Sequence, residues 1–99
     1  MTLDVAFRPQ AEADVLETYD WFERQQAGLG ESYVDSVDAT LDRIQRMPKM
    51  YPVIIQQIRR AKIKKFPYLV FYRILSERIE VIAVLHCSRD PKLWERRNR

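Results

Sequence analysis

After a short opening segment, the hydrophobic period of this chain is helical as far as Pro48 and strand-like from Tyr51, and that change dictates a layered helix-and-sheet fold. Ahead of it, apolar residues step by three and four, the repeat of a helix with one buried face. Val15, Leu16, Tyr19 and Phe22 recur in this way between Gln10 and Gln26. Tyr33, Val34, Val37, Leu41, Ile44 and Met47 do so between Glu31 and Met47. From Tyr51 onward the repeat becomes that of strands. In Ile55–Phe66, Ala61 and Ile63 alternate with Arg60, Lys62 and Lys64, so one face is apolar and the other a ladder of positive charge. Leu69–Leu75 is apolar on both faces apart from Arg73, and Ile79–His86 is largely apolar, so both read as central strands.

The punctuation agrees with this division. Thr2–Arg8 alternates loosely through Leu3, Val5 and Phe7, a short strand, and Pro9 suits the first turn of the helix after it. Gly28-Leu29-Gly30 separates the two helices, with Gly28 as the cap of the first. Pro48 stops the second helix, Pro67 ends the basic strand, and Ser76-Glu77-Arg78 turns the chain. Asp90–Arg99, polar and basic around Trp94, reads as a short helical turn plus a tail. The expected order is β-α-α-β-β-β. It makes one α+β domain spanning residues 1–99, a helical hairpin packed on one face of a mostly antiparallel sheet. The other sheet face is expected to be partly exposed and basic.

Charge is divided as sharply as period. Residues 1–50 hold five Lys/Arg and ten Asp/Glu, a balance of −5; residues 51–99 hold twelve and four, a balance of +8, giving the net +3. The basic half would attract an acidic protein surface or a nucleic-acid backbone. A single cysteine, Cys87, excludes an internal disulfide and fits a reducing compartment. The first nine residues have no signal-peptide pattern, and no stretch approaches the length needed to span a bilayer, so a cytoplasmic protein without membrane partners is expected.

Little in the sequence offers enzymatic chemistry of the usual kinds. His86 is the only histidine, and its neighbour Cys87 points to the opposite face of a strand, so the two form no nucleophilic pair. One His and one Cys make no metal site, there is no glycine-rich phosphate loop, and no cofactor is expected. The basic strand is the remaining candidate. Arg60, Lys62 and Lys64 would lie roughly 6.5–7 Å apart, close to the spacing of phosphates along a nucleic-acid strand. Arg73 and Arg89 would add to that face. Such a cluster can bind an acidic partner, or cleave RNA without a metal by stabilising the charge of the pentavalent phosphorus. It can also simply keep an edge strand soluble.

The ordered set of local segments resembles the RelE/ParE superfamily of type II toxins. The resemblance rests on Phe7-Arg8-Pro9, Tyr19-Asp20-Trp21-Phe22, Gly28-Leu29-Gly30, Tyr51-Pro52, Phe66-Pro67-Tyr68, Val70-Phe71-Tyr72, and His86 followed by Arg89-Asp90 and Trp94. It implies a growth-inhibiting toxin neutralised in a complex by a cognate antitoxin, whose acidic segment would suit the basic half. It also implies one of two targets. ParE-like members inhibit DNA gyrase by binding; RelE-like members are ribosome-dependent, metal-independent mRNA endonucleases. On the RelE pattern Lys62, Lys64 and Arg89 match the catalytic cations. The arginine expected early in the middle strand is Leu69, and the tail tyrosine has no counterpart, its neighbourhood holding Trp94 and Glu95. An indole has no acidic O–H with which to move a proton. The ending at His86, Arg89 and Asp90 is closer to ParE-like and plasmid-stabilisation members, in which Arg89 and Asp90 would pair to fix the chain exit. The resemblance therefore favours a gyrase inhibitor, with the endonuclease and a non-toxic interaction module as alternatives. Arg60, Lys62, Lys64, Arg73, His86, Arg89 and Trp94 are the expected contacts to target or antitoxin.

Overall fold

A computed structural model of the chain describes residues 3–97. Along it run β1 (Asp4–Phe7), α1 (Pro9–Gln25), α2 (Leu29–Arg46), β2 (Val53–Ile55), β3 (Ile58–Lys62), β4 (Tyr68–Ile74), β5 (Arg78–His86) and α3 (Pro91–Arg97). The strands form one sheet in the order β1-β5-β4-β3-β2. β1 is parallel to β5 and the other pairings are antiparallel. The architecture is the expected α+β arrangement, a helical hairpin on a mostly antiparallel sheet. Thr2, the expected start of the first strand, and Asn98 and Arg99 of the expected tail lie outside the described residues.

The helical hairpin is set by local chemistry. Pro9 opens α1, where its missing N–H costs nothing, and Glu12 lies in the first turn near the positive end of the helix. Gly28 does not cap α1, as the sequence implies. Gln26 does, and Gly28 instead precedes α2 with φ 88°, a left-handed conformation open to glycine. The Glu23 carboxylate accepts from Gly28 N at 2.8 Å and Gly30 N at 3.0 Å, satisfying N–H groups at the start of α2. Gly30 is where the helices meet most closely, since a Cβ there would fall 2.7 Å from the Tyr19 carbonyl oxygen.

The hairpin covers one sheet face. Ala11 from α1 and Tyr33, Val37, Leu41 and Ile44 from α2 meet Ala61, Ile63, Val70, Tyr72, Ile79, Val81 and Val84 of the sheet. Each fully buried aliphatic side chain contributes about 1.5–3 kcal/mol. Leu16, read as part of the buried stripe, is 59% exposed, because the sheet-facing line of α1 passes through Ala11, Val15 and Phe22. Tyr72 donates its O–H to the Pro48 carbonyl at 2.7 Å, tying the exit of α2 to the central strand. Burial pushes its phenol up to about 12, outweighing the opposing pull of Arg59.

Two features depart from the sequence reading. Ile55–Phe66 is not one strand. It folds as a hairpin in which β2 and β3 are joined by Gln56-Gln57, with φ of 44° and 70°. Positive φ at both central residues is the geometry a tight two-residue hairpin turn demands, and it is usually signalled by Asn-Gly, not by two glutamines. Second, β5 carries a bulge. Phe71 pairs with Ala83 but Tyr72 pairs with Val81, leaving Ile82 as the extra residue. The alternation of β5 therefore slips by one, and Ile82, Ala83 and Leu85 all join a second core on the far sheet face. That core also holds Ile58, Phe71 and Trp94. It is closed by α3, where the sequence implies a short helical turn.

Candidate functional site

The far face of the sheet is half apolar and half basic. Register places Arg60 opposite Phe71, and Lys62 opposite Leu69, so all four side chains share this face. At the end of the sheet where β4 begins and β5 ends, a hollow of about 70 Å³ opens beneath α3. Its floor is Leu69, Phe71, Leu85 and Trp94, and its rim carries Arg60 and Arg89. Both arginines are exposed. Neither guanidinium has an ion pair or hydrogen bond among the described residues, whereas Arg8, Arg73 and Arg97 are all held by carboxylates. Two unneutralised guanidinium groups over an apolar floor can grip a planar carboxylate or a phosphate bidentately while the floor excludes water.

The other residues singled out in the sequence have different placements. Lys62 turns its Nζ to the carbonyls of Ile63 at 3.0 Å and Phe66 at 3.3 Å, stapling the loop after β3. Lys64 lies beyond the end of β3, in a loop whose next residue, Lys65, has φ 72°. The three-cation ladder therefore stops at Lys62. Arg73 is at the opposite end of β4, four residues and roughly 13 Å from Leu69. There it donates to Glu80 at 2.8 Å, and Arg8 reaches the same carboxylate at 3.2 Å. Burial raises the Glu80 pKa, but the hydrogen bonds from Arg73 and Arg8 outweigh it and hold the carboxyl below its ordinary value. Trp94 is only 7% exposed and stacks on Phe71 with centroids 4.9 Å apart, so it is core before it is contact. Asp90 does not pair with Arg89. It accepts from Lys92 N at 2.9 Å and so caps α3.

His86 joins the two sheet faces. Its side chain lies on the helix side, edge-on to Tyr68 at 5.2 Å. The Ser88 amide can only donate, so His86 Nδ1 accepts its bond at 3.0 Å, and the ring proton resides on Nε2. Beyond the ring a groove of about 510 Å³ runs between α1 and the start of β4. Its walls include Trp21, Phe22, Pro67 and Tyr68, with Glu17 at its edge. Of the residues that line this groove, the sequence singles out only His86 as a contact. The available signal was Glu17, Thr18 and Trp21 spaced by three and four on one helix face, with Trp21 off the buried stripe. Among the described residues no cluster of three or more His, Cys, Asp or Glu is placed to hold a metal, and no helix is long and apolar enough to cross a membrane.

Known proteins resemble this chain along most of its length. Toxin ParE2 of Mycobacterium tuberculosis, found in two strains, is 26% identical over 96 residues, covering 96% of this chain and 91% of the relative. A solved structure described as the chromosomal ParDE TA system from P. aeruginosa contains a chain that superposes with a TM-score of 0.76. That match is 13% identical in sequence and covers 86% of this chain and 96% of the other, a likeness of fold. The family model of the ParE toxin of the type II toxin-antitoxin system parDE matches residues 5–91. A match over that span, carrying α1, α2, all of the sheet but Asp4 and the rim of the arginine hollow, means that the chain belongs to the ParE toxin family of type II toxin–antitoxin systems.

Proposed function

We propose that this toxin arrests growth by binding DNA gyrase in the cytoplasm, and that its cognate antitoxin neutralises it by laying an acidic segment over the Arg60–Arg89 hollow. One observation carries the choice of binding over cleavage: the cations that a metal-free ribonuclease would gather around one phosphate are dispersed. Lys62 is occupied by two loop carbonyls, Lys64 lies past the strand, and Leu69 fills the floor between Arg60 and Arg89. Trp94, where a proton donor would be wanted, is buried against Phe71. What remains on the surface is a pair of free guanidinium groups beside an apolar floor, chemistry suited to recognition.

The test pairs two assays on the purified chain. Inhibited supercoiling or trapped cleaved DNA, with mRNA intact in a coupled translation reaction, is the expected outcome. New 5′ ends within translated codons, abolished by Arg89→Ala, would instead establish the endonuclease. Normal growth on induction without antitoxin would leave only an interaction module.

A further inference from the structure

We propose that this chain pairs with a second copy of itself, the outer face of α2 in one copy lying antiparallel to that of the other about a two-fold axis between Asp42 and Arg46. The pairing does not depend on which target the toxin has. It uses the helix side of the sheet, whereas the Arg60–Arg89 hollow opens on the far side.

The outer face of α2 carries one line of charge. At about 100° per residue, Glu31, Asp35, Asp38, Asp42 and Arg46 fall within roughly 80° of one another, on the side away from Tyr33, Val37, Leu41 and Ile44. All five are exposed, and none has a side-chain ion pair or hydrogen bond among the described residues. Carboxylates three and four apart on a helix repel one another. Partial desolvation and the charges of Asp35 and Asp42 hold the Asp38 carboxyl above its ordinary value. The helix dipole favours Glu31 and Arg46 at the two ends, but it disfavours Asp42 one turn from the C-terminus. Beyond Arg46 the same end becomes apolar as well as basic. Met47, Met50 and Val53 are each at least half exposed. A hollow of about 290 Å³ follows, lined by Lys49, Val53, Gln57, Arg59 and Ile74, so both of its charged groups are cations. Arg59 donates to the carbonyls of Lys49 and Tyr51 and has no carboxylate partner among the described residues.

Charge selects the occupant. A wholly acidic segment is repelled by the carboxylates, and a wholly basic one by Arg46, Lys49 and Arg59. The fitting partner carries both signs in the reverse order, which is what α2 itself presents when turned end for end. An axis between Asp42 and Arg46 sets Asp42 of each copy against Arg46 of the other. It sets Lys49 and Met50 of each against Ala39 and Asp38 of the other. Ala39 is exposed and small, which leaves room for a methionine. Every favourable contact is made twice, as an isologous interface requires. The contact is modest in length, so the dimer should be reversible, with a micromolar dissociation constant, and should weaken as salt rises. Both Arg60–Arg89 hollows stay open in it, because the helical layer and the sheet lie between them and the axis.

Sedimentation equilibrium of the full chain, free of antitoxin, supplies the test. The mass should rise toward twice that of the chain as its concentration increases through the micromolar range. Asp42→Arg and Arg46→Asp should each weaken the dimer about tenfold or more, with thermal melts confirming folding. Both substitutions in one chain should restore it. So should mixing the two singly altered chains, since each then meets its opposite. Met50→Asp, in the exposed turn beyond the helix, probes the same contact without altering α2 and should also disperse the dimer. Arg60→Ala should leave it unchanged. A chain that stays monomeric to millimolar concentration, a dimer indifferent to all three substitutions at this surface, or a loss that neither the double substitution nor mixing restores, overturns the proposal.

Discussion

Arg97 grips Asp14 with both ends of its guanidinium, Nη1 to Oδ2 at 2.6 Å and Nη2 to Oδ1 at 3.2 Å, binding the last helix to the first across the edge of β5. The same Asp14 oxygen accepts from Val84 N at 3.0 Å, at a stretch of β5 beyond the reach of β1, which pairs only as far as Val81. One carboxylate therefore satisfies a strand edge and clamps α3. Arg97→Ala is expected to cost about 1–3 kcal/mol, because it removes a charge-assisted bidentate pair that is largely shielded from water. Arg97→Lys should recover only part of this, having no fork. Thermal melts, together with the emission of Trp94 as α3 loosens, provide the check.

Trp94→Ala should behave as a core deletion. The indole stacks on Phe71 and closes the second core, so its removal should cost about 3–5 kcal/mol, and Trp94→Phe clearly less. Urea midpoints measure this directly. A variant of unaltered stability but weakened antitoxin binding would restore Trp94 to the role that the sequence alone gives it.

That contrast shows where sequence stops being informative. The helices and the two central strands are legible because burial imposes a period that any reader of Tyr33, Val37, Leu41 and Ile44 can follow. The β2–β3 hairpin is hidden because its turn consists of two glutamines, and the bulge at Ile82 is hidden because every residue near it is apolar on both sides. Arg60 and Arg89 are legible as exposed cations by charge and position, and His86 as the end of a strand. Lys62 is not legible as a loop staple, since its hydrogen bonds are to backbone carbonyls that carry no sequence signature. Trp94 misleads for a general reason: an aromatic in a basic tail looks exposed until something is known to lie beneath it.

Arg60→Ala and Arg89→Ala should leave stability within about 0.5 kcal/mol, since neither guanidinium has a partner to lose. Each should weaken the antitoxin complex about tenfold, and the complex should weaken further as salt rises from roughly 0.05 to 0.3 M. Arg73→Ala should do the reverse, costing stability at Glu80 while sparing the antitoxin. Titration calorimetry beside chemical denaturation distinguishes the two patterns.

Gly30→Ala should separate the helical hairpin. Its new Cβ would meet the Tyr19 carbonyl oxygen at 2.7 Å and the Glu23 side chain at 2.8 Å, and a backbone oxygen cannot swing aside. A cost of about 1–3 kcal/mol is expected, typical of overpacking. Gly28→Ala meets nothing within 4 Å, yet it still carries the penalty of φ 88°. Its cost, about 1–2 kcal/mol, should therefore come without any change in helix packing, as inter-helix NMR contacts would show.

Glu80 should make folding sensitive to acid. Burial alone would raise its pKa, but the hydrogen bonds from Arg73 and Arg8 prevail, so the folded-state value lies below the ordinary 4.5. A carboxyl depressed on folding stabilises the native state above its unfolded pKa, and that contribution is lost as pH falls through the lower folded value. Asp38 has the opposite sign. Partial desolvation of this exposed carboxyl, and the charges of Asp35 and Asp42 along the same helix, raise its pKa, so it weakens the fold at neutral pH and is relieved on acidification. Glu80→Gln should therefore lose about 1.5–3 kcal/mol at pH 7, where it leaves two arginines facing a neutral amide, and the loss relative to the parent should shrink as pH falls through the depressed folded-state value. Asp38→Asn should gain stability at pH 7 and match the parent once Asp38 is protonated. Urea denaturation between pH 3 and 7 checks both, and parallel curves for the parent and Glu80→Gln across that range would show that the Arg8–Glu80–Arg73 bridge does not stabilise the fold.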